Sequence, residues 1–214
     1  MKRLQNISFK TFFYRAYLVL LALLSLYAIV GIAHFKWLYI SIDEPKAEFL
    51  IKPATVPSAK QVTIIEFLDY SCQYCKEVNP NVEELLRIRK DIRYIVRPVA
   101  FDEEISEPIL RHVLAAGLQG KFWEMHKAVL EYPENTVSQD FFKETAELYG
   151  LDIEKFLSDA QSKQVEKIID DNLNAVFHAG IPSTPSFLVG NKIYVPSDSI
   201  PTLVDLINMV QQGE

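Results

Sequence analysis

Cys72 and Cys75 are the only cysteines of this 214-residue chain, and they stand where an apolar run gives way to a helical pattern. One such pair excludes a disulfide-stapled scaffold, and it excludes a four-cysteine zinc site within one chain. Before the pair, residues 62–68 (VTIIEFL) are apolar and rich in β-branched side chains apart from Glu66, the pattern of a buried strand. After it, residues 75–89 carry Val78, Val82, Leu85, Leu86 and Ile88 at helical spacing, with Pro80 expected to kink the helix. Residues 92–97 (IRYIVR) predict a second strand. Strand, helix and strand at this length predict a βαβ unit with a parallel pair, hence an α/β fold.

The remainder up to about 178 reads as helical. Pro108 falls in the first turn of one helix, and Gly117 and Gly120 mark its end. A second helix over 121–131 is stopped by Pro133, and a third over 138–149 ends at Gly150. Asp152 is suited to cap the next, and 165–177 completes the set before Gly180. Two short strands, 186–189 and 193–195, flank Gly190-Asn191, a hairpin signal. A last helix over 200–211 places Leu203, Leu206, Ile207 and Val210 on one face. The sum is an α/β sheet domain with a helical insertion at about 104–178. No internal repeat is visible.

The N-terminal part is different in kind. Residues 16–33 (AYLVLLALLSLYAIVGIA) form an uncharged apolar run, and a bilayer core needs roughly 20 such residues. Phe12, Phe13 and Tyr14 precede it and Phe35, Trp37 and Tyr39 follow, as suits a membrane–water boundary. Lys2, Arg3, Lys10 and Arg15 all precede the run, so the N-terminus is expected to stay cytoplasmic and the rest to be exported. The predicted organisation is a basic tail (1–15), a transmembrane anchor (16–40), a tether with three prolines (41–60) and a domain (61–214). A cleaved signal peptide is the alternative, since Gly31-Ile-Ala33 is a passable cleavage site. Five of the 22 Lys/Arg and none of the 28 Asp/Glu lie in 1–40, which leaves 41–214 with a net charge of −11. An acidic domain behind a basic tail argues against nucleic acid as a partner.

A helix start carries unsatisfied N–H groups and the positive end of the dipole, so a thiolate there is stabilised and its pKa falls. Cys72, at the tip, is the expected nucleophile. Cys75, one turn further in, is placed to attack a mixed disulfide from behind. Half of a metal site and an inert structural pair are the rival readings, but His34, His112, His126 and His178 show no ligand spacing. No metal and no cofactor is expected. Glu66, buried in its strand, would have a raised pKa and could shuttle the proton of Cys75; a strand-edge Glu reaching water is the bland alternative. His126 and His178 read as packing or surface residues, and Phe141–Phe142 as core.

The stretch IIEFLDYSCQYCKEVNPNVEELL resembles the thioredoxin superfamily, and more closely its DsbA-like branch. The acid six residues before the first cysteine, the Lys after the second and the proline eight after the first carry the match. AAGLQGKFWEMHKAVLE resembles the helical insertion of DsbA-like proteins, and AGIPSTPSFLVGN their second active-site loop. The resemblance spans about 60–212. It implies a thioredoxin fold with a helical insertion and a cis Thr184–Pro185 bond beside the cysteines. It also implies substrate contacts at Thr184, Pro185, Gln73 and Tyr74. The Thr184 backbone would pair with an extended substrate strand.

It further implies thiol–disulfide exchange on exported, cysteine-containing proteins, with a membrane oxidase or reductase as redox partner. The expected location is the bacterial inner membrane, single-pass, with the domain on the periplasmic side. DsbA-like oxidases commonly have a histidine before the second cysteine, where this chain has Tyr74, preceded by Gln73 rather than proline. That pair brings no cation, so a less oxidising disulfide is expected. Tyr74 and Thr184 also resemble disulfide isomerases, against which stands the lack of a visible N-terminal dimerisation domain. Oxidation is the favoured direction. Isomerisation or reduction is the alternative, and a membrane-tethered binding module or holdase is a further one.

Overall fold

The computed structural model describes the backbone of residues 2–56, 61–134, 136–196 and 199–213, with side chains described throughout except in 2–11, 35–41 and 43. The side chains of the aromatic residues expected at the distal membrane boundary (Phe35, Trp37, Tyr39) and of the basic residues Lys2, Arg3 and Lys10, and the whole of residues 57–60 of the expected tether, lie outside that description. The chain divides into two compact units, Met1–Ser41 and Ile42–Glu214.

The first unit belongs to one helix, α1 (Lys2–Asp43). Its stretch Phe12–His34 is 23 residues, long and apolar enough to cross a membrane by length and composition, and none of it is buried. Ser25 satisfies its hydroxyl within the helix by donating to Leu21 O at 2.8 Å.

The second unit is built on β2 (Val62–Asp69) and β3 (Ile92–Val99), parallel neighbours joined by α2 (Gln73–Ile88). The sheet order is β1-β3-β2-β4-β5, with β1 (Ile51–Lys52), β4 (Ser186–Val189) and β5 (Lys192–Tyr194) all antiparallel to their neighbours. Alternation along β2 divides the core in two. Ile64 and Leu68 face α2, α8 (Leu203–Gly213) and most of the helical insertion, while Ile65 and Phe67 face the C-terminal half of α7 (Lys163–Ala179), through Ala175 and Val176. Glu66 therefore sits on the α2 side, among apolar neighbours. A strand covered on both faces explains why its sequence is apolar throughout rather than alternating.

The insertion comprises α3 (Ser106–Leu118), α4 (Phe122–Glu131), α5 (Gln139–Leu148), α6 (Ile153–Ala160) and α7. Ser138, Asp152 and Ser162 cap the last three, accepting from Phe141, Lys155 and Val165 N–H. Gly180 (φ 66°) closes α7 in the left-handed conformation, which glycine adopts without penalty.

Residues 42–52, expected to belong to a tether, are instead packed on the domain. Pro45, Ala47 and Leu50 are buried, a 3-10 turn forms at Glu48–Leu50, and β1 pairs along β3. Phe49 lies against α3 so closely that a Cβ on Gly117 would meet its ring at 2.5 Å, so only glycine fits there. Elements of three and two residues are too short to show a period, which is why the sequence reads as structureless.

Candidate active site

The site begins at the turn that ends β2. Asp69, itself buried, ties the turn with both carboxylate oxygens. Oδ1 accepts from Ser71 N–H and Ser71 Oγ, both at 2.8 Å, and Oδ2 accepts from Phe101 N–H at 2.9 Å. The Asp69 carbonyl accepts from Cys72 N–H at 3.0 Å. This arrangement delivers Cys72 to the N-cap position of α2 in an extended conformation.

The two thiols are free and differ sharply in surroundings. Cys72 is partly exposed, and its thiol donates to Thr184 O at 3.4 Å. The Cys75 thiol, backed by the N–H groups of Cys75 and Tyr74 and by Thr184, holds Cys72 down at about 6, against a partial burial that opposes the shift. No first-turn N–H forms a full capping bond to its sulfur, so the stabilisation is shared among several weak donors. Cys75 is only 1% exposed. Burial, its bond to Cys72 and the charge of Cys72 push its pKa far up, so it stays protonated.

Thr184 and Pro185 are joined by a cis peptide bond, and Ser186 Oγ donates to Ser183 O at 2.6 Å in the same loop. Pro185 is buried while Thr184 is partly exposed. Among the expected substrate-contact residues, Gln73 and Tyr74 are exposed, and Gln73 Nε2 donates to Glu77 Oε1 at 2.8 Å. Neither places a cation beside Cys72. Lys76 turns inward and donates to the carbonyls of Tyr132 (3.0 Å) and Glu134, anchoring α2 to the end of α4.

Glu66 is 3% exposed, and burial raises its pKa to about 7 despite a hydrogen bond from Tyr94 that pulls the other way. The reading of Glu66 as a strand-edge residue reaching water is therefore incorrect. Glu66 also acts through space on Cys75, raising its pKa. Tyr70 and Tyr94 complete the buried group, both with pKa pushed well up, first by burial and next by Glu66. Tyr70 OH pairs with His126 Nδ1 at 2.9 Å. His126 is buried among Phe122, Trp123 and Tyr70, and burial lowers its pKa to about 3, so it is a neutral packing residue. His178 is exposed on α7, and Phe142 is core.

Sequence reasoning missed Tyr94, Tyr70 and Asp69. Tyr94 was accessible in principle. In the parallel pairing Glu66 stands opposite Val96, so Tyr94 is its same-face diagonal neighbour. Among the described residues no group of three or more His, Cys, Asp or Glu side chains is arranged to hold a metal.

A family model described as the DSBA-like thioredoxin domain matches residues 63–208. The chain belongs to the DsbA-like thioredoxin family. That membership gives residues 63–208 the thioredoxin fold. Solved structures share this fold. A thioredoxin-like oxidoreductase from Silicibacter pomeroyi is 25% identical, with a TM-score of 0.65 over 77% of this chain and 95% of that one. The thiol-disulfide exchange protein alpha-DsbA2 from Wolbachia pipientis is 21% identical (TM-score 0.63, 84% and 97% covered) and shares the fold. So does the oxidoreductase DsbA from Xylella fastidiosa (22%, TM-score 0.60, 75% and 90% covered).

Curated relatives carry another name. Na(+)/H(+) antiporter NhaA 3 of Salinispora tropica is 28% identical over 138 residues, which is 64% of this chain and 21% of that protein. Na(+)/H(+) antiporter NhaA of Herminiimonas arsenicoxydans is 27% identical over 172 residues, 79% of this chain and 27% of that one. The chain thus spans roughly a fifth to a quarter of the length of these relatives.

Proposed function

We propose that this DsbA-like chain exchanges disulfides with exported, cysteine-containing proteins through Cys72 and Cys75, chiefly as an oxidant. A client thiolate attacks Cys72 Sγ of the Cys72–Cys75 disulfide, forming a mixed disulfide, and Cys75 departs as thiolate. Glu66, buried and poised near neutrality, gives it a proton. A second client thiolate attacks the client sulfur and expels Cys72, so two electrons pass from the client dithiol to the enzyme pair. The Thr184 carbonyl beside Cys72 suits an extended client strand laid along the loop, with Gln73 and Tyr74 exposed to meet it.

The observation that carries this reading is the asymmetry of the pair: one partly exposed sulfur held at about 6, and one buried sulfur held protonated. A thiol that readily ionises is both an attackable, good leaving group and a stabiliser of the reduced form, which makes the disulfide oxidising. The absence of a cation at Gln73-Tyr74 favours isomerase or reductase activity as the second reading, because the shift at Cys72 is moderate.

Helix Phe12–His34 supports a single-pass anchor, and the basic residues before it support export of the domain to the periplasmic side of a bacterial inner membrane. There a membrane oxidase or reductase would reset the pair. A signal sequence fits the same helix.

The test compares the full chain with Cys72→Ser in refolding of reduced ribonuclease and in insulin reduction. Wild type is expected to restore ribonuclease activity, and Cys72→Ser to lose it at least a hundredfold. Equal behaviour of the two would leave a holdase and no redox enzyme.

A further inference from the structure

Glu66 must regain the proton it gives to Cys75, yet it is buried on the α2 side of the sheet. Among the described residues its carboxylate accepts a hydrogen bond from the phenol of Tyr94. Tyr94, on β3, also lines an open cleft of about 330 Å³ between α2 and α4, together with Lys52, Glu83, Trp123, His126 and Lys127. Tyr94, itself only 2% exposed, is thus the residue that both holds the buried carboxylate and borders this open cleft. We propose that Tyr94 is the positioning residue that sets the protonation of Glu66 and links it to this cleft, so that protons reach Cys75 through the α2–α4 side rather than past Cys72.

A phenol can donate to a carboxylate while accepting from water, which a hydrocarbon ring cannot. The step balances: Glu66 passes one proton to the Cys75 thiolate as the enzyme disulfide is opened, and one proton enters from the cleft to restore Glu66. The groups facing this pair are limited. Glu66 acts through space on Cys75 of α2 and on Tyr70, just past the end of β2 and paired with neutral His126. β4 brings Phe187 opposite Glu66, and α8 brings apolar Leu206 and Val210. Around the cleft, Lys52 lies over the Trp123 ring at 5.1 Å, and Lys127 pairs with Glu83 at 3.3 Å. Glu124 pairs with Lys121 at 2.9 Å.

The inference rests on the proposed proton role of Glu66, and the experiment separates the two. The rate at which a dithiol peptide reduces the full chain's disulfide is followed from pH 5 to 9 for wild type, Tyr94→Phe and Glu66→Gln. Each profile is divided by that of Glu66→Gln, which cancels ionisation of the peptide. Wild type is expected to show an inflection near pH 7. Loss of a donor to the carboxylate raises its pKa, so Tyr94→Phe is expected to move the inflection up by about one pH unit. Incorporation of 3-fluorotyrosine in place of Tyr94 keeps the shape, strengthens the donor and is expected to move it down. An unmoved inflection in both variants overturns the Tyr94 proposal. A flat wild-type ratio overturns the Glu66 reading, and the proposal with it.

Discussion

The acidic character of Cys72 comes from geometry rather than from a neighbouring cation. Gln73 and Tyr74 supply none; the Cys75 thiol, two backbone N–H groups and Thr184 do the work. The sequence made the pair and its helix position plain, because spacing and strand context alone locate them. Tyr94 needs one step more, because a tyrosine in an apolar strand looks like any other core aromatic until the register against β2 is set, and Tyr70, in the turn after β2, carries no pattern that marks it. Glu66 was visible as the odd charge in its strand, and its burial has a measurable cost. Its ordinary pKa of 4.5 rises to about 7 on folding. Below pH 4.5 both folded and unfolded chains hold the proton. As pH rises toward 7 the unfolded chain releases it first, so folding stability falls, by about 3 kcal/mol in total. Glu66→Gln removes this dependence. Urea unfolding of the reduced proteins is expected to show the variant gaining about 2.5 kcal/mol on wild type between pH 5 and pH 8. A difference that stays constant with pH would contradict the burial of a titrating Glu66.

At the level of elements, the βαβ core, the insertion helices and the last helix were legible because each runs long enough to show its period, and α5, α6 and α7 carry side-chain caps besides. Segment 42–52 was not. Its attachment depends on tertiary partners, above all Arg97, which is fully buried on β3. The Arg97 guanidinium donates to Asp171 Oδ2 at 2.7 Å, to Asn172 Oδ1 at 3.2 Å and to the Ile42 carbonyl at 2.7 Å. Lys46 N–H adds a bond to Asp171 Oδ2 at 3.1 Å. In the sequence Arg97 is only the last residue of the strand expected over 92–97. Removing it strands a buried carboxylate and a buried carbonyl. Arg97→Ala is expected to cost about 3–5 kcal/mol and to open residues 42–52 to protease. Lys46→Ala, which removes only a mostly exposed ammonium, is expected to cost under about 1 kcal/mol. Chemical denaturation and limited proteolysis check both. Equal, small effects would mean that the segment is not held by this network.

For the whole molecule, the sequence separates an apolar, basic-flanked N-terminal helix from an acidic α/β domain, and composition suffices for that division because the two parts differ so sharply in apolar content and charge. The direction of exchange is not written in the composition; it depends on how far one sulfur is stabilised. With Cys72 at about 6, the pair stands between thioredoxin, whose reactive thiol has a pKa of about 7, and the strong oxidant DsbA at about 3.5. The most direct measurement is the equilibrium reduction potential of the Cys72–Cys75 pair in the full chain, titrated against glutathione. The account predicts a value between the roughly −270 mV of thioredoxin and the roughly −120 mV of DsbA. A value at or below about −270 mV would contradict an oxidant that draws its driving force from a stabilised Cys72 thiolate.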